Sequence, residues 1–268
     1  MSRFRLSFLL VVVVAVAVGS TLASAGTGSS VVVPRGQPVQ IAVVLDRGDG
    51  SIGTVLTPSI RNVIQMAVGS RTVRGFKVQL NDAFDARCGD DQAGANAATA
   101  TTVVSNPQNV AVIGHMCSTA FAGSSPPPNA DATALSIYEN SGIVTINGST
   151  TGGWLPGVGP NVFNATAVAG DNFDWYDQVK ALSSDQAWEA AYFSKFGESS
   201  GLFADLYFDA TKLLLTRLTQ ASKVVNGQLV IDRAELASAV RNTTGFCGVT
   251  GTINLDPSGY RTNAVTAC

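Results

Sequence analysis

Val39–Leu45 reads Val-Gln-Ile-Ala-Val-Val-Leu, and Arg47–Gly53 behind it reads Arg-Gly-Asp-Gly-Ser-Ile-Gly. A run this rich in Val and Ile, broken by one polar residue, is the pattern of a strand covered on both faces, as the strands of parallel sheets are. The Gly-rich loop then releases the chain toward Thr57-Pro58, which reads as an N-cap followed by proline at the first helical position. Ile60, Val63, Ile64, Ala67 and Val68 recur at helical spacing and form the apolar stripe of that helix.

The same unit repeats downstream. Phe76–Leu80 reads as a second strand, followed by a polar loop over Asn81–Arg87 and an Ala-rich helix over Asp91–Ser105 that stops at Asn106-Pro107. Val110–Ile113 is a third strand, closed by Gly114. Pro126-Pro127-Pro128 interrupts the next connection, and Ala130–Asn140 follows as a helix. Ile143–Ile146 is a fourth strand, leading into the Gly/Ser/Thr loop Asn147–Gly153. Strand, loop and helix repeated about four times, with right-handed crossovers, give an α/β fold built on a doubly wound parallel sheet. In such sheets ligands sit outside the carboxyl ends of the strands. The loops after Leu45, Gly114 and Ile146 are therefore the candidate site.

Past Trp154 the pattern changes. Asn161–Thr166 reads as a fifth strand. Ser183 with Gln186 three residues on is a capping box, opening a helix with Trp188, Tyr192 and Phe193 that stops before Gly197. Phe203–Gln220 is a longer helix with Leu206, Ala210, Leu213, Leu214 and Leu218 at helical spacing. Asp232 and Glu235 cap a third helix, to about Arg241. Gly248–Leu255, a turn at Asp256-Pro257-Ser258-Gly259 and Tyr260–Ala267 read as a terminal hairpin.

The first residues carry Arg3 and Arg5, then an uncharged stretch from Leu6 to Leu22, then Ala23-Ser24-Ala25. This is the three-part pattern of a secretory signal peptide, with cleavage expected after Ala25. The apolar stretch is short for a membrane span, which needs about 20 residues. No cysteine lies near the cut for lipid attachment, so a periplasmic or extracellular protein is expected. Residues 26–38 read as a flexible leader. Cleavage removes two arginines and no acid, moving the net charge from −2 to −4. No basic block is present, which argues against a nucleic-acid partner.

Cys88, Cys117, Cys247 and Cys268 make an even count, which in an exported chain suggests disulfides. Three pairings are possible, and spacing does not choose among them. A zinc site is disfavoured, because no C-x-x-C occurs and His115 is the only histidine. One histidine also leaves no Ser/His/acid constellation, and there is no G-x-S-x-G or Walker lysine. An enzyme is not expected, nor a cofactor.

Three stretches taken together resemble the branched-chain amino-acid (leucine/isoleucine/valine) binding proteins of the type I periplasmic class, components of ABC importers. They are Asp82–Asp90, an acidic loop with a cysteine; Val112–Ser118, with its Gly-His-Met-Cys-Ser turn; and Gly142–Thr151, a strand followed by a small-residue loop. The resemblance covers roughly Val39–Thr166 and resumes from about Trp175 to Ala264. It implies a Cys88–Cys117 disulfide, which leaves Cys247 for Cys268. It also implies that Ser118 gives its hydroxyl to a ligand carboxylate. Ser149 and Thr150 then offer backbone groups, and Thr151 touches both carboxylate and ammonium. Read without the resemblance, Ser118 is a plain helix cap, Ser149–Thr151 an ordinary turn, and His115 a packed or hydrogen-bonded residue.

The chain departs from the family in one large respect. The relatives insert a second lobe after the fifth strand, whereas here only about Ala165–Asp174 separates Val162-Phe163-Asn164 from the returning segment at Trp175, far short of the ~50 residues a domain requires. A single lobe is expected, without the second lobe's aromatic and acidic ligand contacts. Two functions are consistent with this: a solute-binding component that takes an amino acid and serves an ABC permease, or a non-catalytic module that docks or homodimerises through the open cleft face. Trp154, Phe173, Trp175 and Tyr176 are candidates for such a contact, and equally for ordinary packing.

Overall fold

The computed structural model describes residues 30–48, 52–122, 133–152, 159–167, 174–262 and 264–268. Its centre is a seven-stranded sheet. β1 (Ser30–Val33) lies outside that sheet; β2 (Val39–Leu45) is one of its interior strands and leads into helix α1 (Ile52–Val68). β3 (Thr72–Val73) and β4 (Phe76–Asp85) follow, then α2 (Ala93–Ser105), β5 (Asn109–Gly114), α3 (Ser118–Ala122), α4 (Ala134–Ser141), β6 (Val144–Asn147) and β7 (Val162–Ala167). The chain continues through α5 (Asp174–Lys180), α6 (Ser183–Phe196), α7 (Ala204–Gln220), the hairpin β8 (Ser222–Val225) and β9 (Gln228–Asp232), α8 (Arg233–Arg241), the hairpin β10 (Phe246–Gly248) and β11 (Gly251–Ile253), and β12 (Tyr260–Arg261).

The sheet order is β12-β7-β6-β5-β2-β4-β3, with β4, β2, β5, β6, β7 and β12 mutually parallel and β3 antiparallel at one edge. The chain winds from β2 outward to β4, then crosses back to β5 and proceeds the other way. The β2/β5 boundary is thus the switch point of a doubly wound sheet. The continuous apolar reading of β2 has a direct cause. Val39, Ile41, Val43 and Leu45 face the layer of α1 and α7, while Ala42 and Val44 face α2 and α4. A strand whose two faces both meet helices has no side left for polar residues.

Several local expectations need correction. The helix expected from Thr57-Pro58 has already begun by Ile52, and Pro58 lies within it. Thr57 does not cap: its hydroxyl donates to the Asp46 carbonyl and ties the helix to the end of β2. Asn81–Asp85 is not loop but strand, because β4 stays paired with β2 through Leu45↔Asp85, across a register shift. Ser183 does not form the expected capping box. The N-cap of α6 is Leu182, without a side-chain bond. By contrast, the Asp232 carboxylate caps α8, accepting the Glu235 N–H at 3.0 Å.

The leader expected to be flexible through residue 38 contributes β1 instead, whose Val31 and Val33 are buried and which pairs antiparallel with β9. The β8–β9 hairpin turns on Asn226-Gly227, both at positive φ (52° and 77°). An Asn-Gly pair between apolar runs is a strong hairpin signal that the sequence reading passed over.

The terminal hairpin is only partly as expected. Asp256 N–H donates to Tyr260 O and Thr262 N–H to Asn254 O, closing the turn, but β12 then joins β7 in parallel at the sheet edge. Residues 1–25, the triple proline and Trp154 and Phe173 lie outside the described residues. Among those described, no helix is long and apolar enough to cross a membrane.

Candidate ligand-binding site

The loops at the carboxyl ends of β2, β5 and β6 meet at the switch point and are held together by main-chain and side-chain bonds. Asp46, fully buried at the end of β2, accepts the Gly48 N–H at 2.7 Å and the Cys88 N–H at 2.9 Å. Gly53 lets the first turn of α1 close on Asp46, since a Cβ there would overlap the Asp46 side chain and carbonyl. The Cys88 and Cys117 sulfurs are at disulfide distance, with Cα atoms 5.5 Å apart, so the end of β4 is fastened to the start of α3. Cys247 and Cys268 form the second such pair, Cα–Cα 5.6 Å, and fasten the C-terminus to β10. The first pairing is the one implied by the family resemblance, and the second is the one it leaves over.

Ser118 opens α3, and its Oγ accepts the Gly152 N–H at 3.0 Å. The two segments singled out in the sequence are therefore in contact. A hydroxyl that accepts one bond still has its own proton to donate, and among the described residues nothing takes it. Ser149 and Thr150 are turned the other way. Ser149 Oγ is 2.6 Å from the Met116 carbonyl, to which it donates, and 2.9 Å from Tyr207 Oη. The Thr150 N–H donates to Asn147 Oδ1 at 3.1 Å, and its hydroxyl is held by Asn147 and Asn164. Their side chains and the Thr150 N–H thus build the loop, and their backbone carbonyls remain for a ligand. Thr151 is half-buried, and its hydroxyl makes no hydrogen bond among the described residues.

Sequence reasoning missed three contributors. Asp46 shapes the first loop; its signal was an acid directly after an apolar strand. Tyr207 supports Ser149 from α7, nearly 60 residues downstream. Gly148 allows this approach, because a Cβ there would press within 2.9 Å of the Tyr207 ring and backbone nitrogen. Burial raises the Tyr207 phenol well above its usual value, keeping it neutral. His115 is buried, 3.0 Å from the Tyr138 hydroxyl, and burial lowers its pKa to about 3. It is a neutral, packed residue, in line with the sequence reading. Trp175 and Tyr176 are each 6% exposed and belong to the core, so the partner-contact option fails for both.

A cleft of about 600 Å³ lies at the opposite pole, lined by Arg35, Pro38, Arg74, Phe76 and Lys77 among others, and is remote from the residues above. Among the described residues no cluster of three or more His, Cys, Asp or Glu is gathered as a metal ion would need.

No protein-family model and no curated protein matches this chain. Solved structures do. An ABC transporter substrate-binding protein from Desulfitobacterium hafniense in complex with Leu matches with a TM-score of 0.60 at 15% identity, over 84% of this chain and 95% of that one. The branched-chain amino acid transporter substrate binding protein LivJ from Streptococcus pneumoniae, in complex with isoleucine, matches with a TM-score of 0.60 at 14% identity, over 84% and 94%. A solute binding protein of an ABC transporter from Rhodopseudomonas palustris, in complex with 3,4-dihydroxybenzoic acid, matches with a TM-score of 0.63 at 11% identity, over 84% and 90%. The chain has the type I periplasmic binding protein fold.

Proposed function

We propose that this protein is an extracytoplasmic solute-binding component of an ABC importer, taking an amino acid of the branched-chain type or a similar small carboxylate on a single lobe. The observation that carries the reading is the Gly152–Ser118 bond beside an uncommitted Thr151 hydroxyl at the sheet's switch point. Ser118 and Thr151 supply O–H donors for a carboxylate. The backbone of 149–151 supplies carbonyls for an ammonium group, as a zwitterion requires. The solved structures that share the fold and hold Leu, isoleucine or an aromatic acid support a ligand bearing a carboxylate. The single-lobe reading is supported by the short link: β7 ends at Ala167 and α5 begins at Asp174.

The test is thermal unfolding of the oxidised protein against millimolar leucine, isoleucine, valine and benzoate. Anything binding only the native state raises stability by RT ln(1 + [L]/Kd). A shift for one class, lost in Thr151→Ala, supports solute binding. A cooperative melt with no shift for any compound, together with a mass that rises with protein concentration, overturns it in favour of a module that docks or homodimerises through the open face.

A further inference from the structure

Two buried carboxyl groups converge on one ammonium behind α7. Lys180 Nζ lies 2.8 Å from Asp185 Oδ2 and 3.2 Å from Asp205 Oδ2. Asp205 is 0% exposed and Asp185 1%. Their environments differ. Asp205 also accepts the Tyr176 hydroxyl at 2.9 Å and the Leu206 N–H at 2.8 Å. Asp185 has Lys180 alone, and its Oδ1 is buried without a hydrogen-bond donor. Both carboxyl groups therefore meet at the same ammonium through their Oδ2 atoms. Two ionised carboxylates on one ammonium repel each other, and their burial calls for a proton on one of them.

The surrounding charges do not remove that need. Tyr176 and Lys180 face the pair from α5. From β12, Arg261 acts on Asp205 and Asp209, but its guanidinium is committed to Thr250, at 2.8 Å to the hydroxyl and 2.6 Å to the carbonyl. Asp209, one turn along α7, is occupied by Thr250 and the Val249 N–H. One half-buried lysine against two buried acids leaves an uncompensated negative charge on groups removed from water, which is costly.

We propose that Asp185 carries a proton donated to Asp205, that this proton latches the first turn of α6 onto α5 and α7, and that its loss in alkaline medium loosens that turn. Asp205, with three other donors, is the carboxylate; Asp185, with an orphaned oxygen, is the acid. With the proton the cluster is neutral, and without it the cluster is a buried anion. Desolvation first, and the Asp205 charge second, push the Asp185 pKa up to about 7. The first turn of α6 is the element that responds, since its N-cap Leu182 makes no side-chain bond and, besides Asp185, the Ser184 hydroxyl donating to the Val249 carbonyl at 2.7 Å is what ties it down among the described residues.

The experiment is carboxyl NMR on the full chain labelled with ¹³C-aspartate, followed from pH 4 to 9, with amide hydrogen exchange at residues 183–186 corrected for intrinsic rates. One aspartate resonance should titrate near neutrality and vanish in Asp185→Asn, and the extra exchange at 183–186 above that midpoint should vanish with it. Lys180→Met should raise the midpoint by about one unit, since it removes the only cation in contact. If every aspartate titrates below pH 5, or if the late-titrating resonance survives in Asp185→Asn, the proposal is overturned. Should a variant fail to fold, the titration of the parent protein still decides whether any aspartate holds its proton to neutrality.

Discussion

The backbone N–H of Gly152 donates to the Ser118 hydroxyl at 3.0 Å, joining the loop after β6 to the helix start after β5. The bond makes Ser118 part of the scaffold as well as a candidate ligand contact, whereas the Thr151 hydroxyl beside it makes no such bond among the described residues. Alanine at the two positions should therefore behave differently. Ser118→Ala should cost about 1 kcal/mol in urea unfolding, the usual net worth of such a bond, and should also weaken any ligand-induced shift. Thr151→Ala should stay within about 0.5 kcal/mol of the parent while abolishing that shift. Equal stability losses at both positions would show that Thr151 is structural.

The two disulfides should be separable in the same way. The sequence separations of 29 and 21 residues put each at about 3 to 3.5 kcal/mol in the chain-entropy model. Serine at both Cys88 and Cys117 should lower stability by that order and also disturb the site, because the Cys88 N–H holds Asp46 in place. Serine at both Cys247 and Cys268 should lower stability similarly and leave ligand response intact, since that pair closes the C-terminus. Calorimetry with and without the best ligand reads both effects. Loss of ligand response from the second pair would contradict this placement of the site.

Gly114 ends β5 at φ 132°, and a Cβ there would overlap the Val44 carbonyl oxygen on the neighbouring strand. Gly114→Ala should lose roughly 3 kcal/mol, combining backbone strain with forced separation of β2 and β5. Gly94, in the first turn of α2, has open space around its would-be Cβ. Gly94→Ala should be neutral or should stabilise by about 0.5 kcal/mol through the unfolded chain. Denaturant unfolding of the pair checks whether space and dihedral angle, rather than glycine itself, set the requirement.

The parts of this fold legible in the sequence are those whose cause is local and repeated. β2 announces itself because both its faces are apolar, and α7 because Leu206, Leu213, Leu214 and Leu218 share a face. Boundaries governed by tertiary contacts were not legible. Thr57 carries the marks of a cap, yet its hydroxyl is taken by Asp46, and Asn81–Asp85 looks like loop because β4 is only half covered. At the site, the positions of Ser118 and Ser149–Thr151 follow from the resemblance and from the rule that ligands sit at carboxyl ends. That Ser149 and Thr150 would face inward was not legible, since their partners Tyr207 and Asn164 come from other segments.

The pH dependence of stability should run opposite to that of a protein held by exposed salt bridges. Glu139 is pushed up from 4.5 to about 7, by burial first, against the opposing effects of the Arg241 charge and the Asn161 N–H. A carboxyl whose folded pKa is raised binds its proton more tightly in the native state, so it withdraws stability as pH rises from about 4.5 to 7. Asp185 and Asp209, each raised by burial first, act in the same sense. His115, lowered from 6.5 to about 3 by burial, acts in the opposite sense, since the unfolded chain takes up the proton first as pH falls through that window. Three acids against one histidine leave a net decline from pH 5 upward, and above 6.5 the histidine no longer offsets it. Stability from denaturant titrations should therefore be higher at pH 5 than at pH 8. Glu139→Gln should remove part of the slope while preserving shape, because an amide oxygen can still accept from Asn161 and Arg241 remains bound to the carbonyls of Gly159, Pro160 and Pro257. A stability that rises from pH 5 to 8 would mean that none of these carboxyls is held neutral in the folded protein.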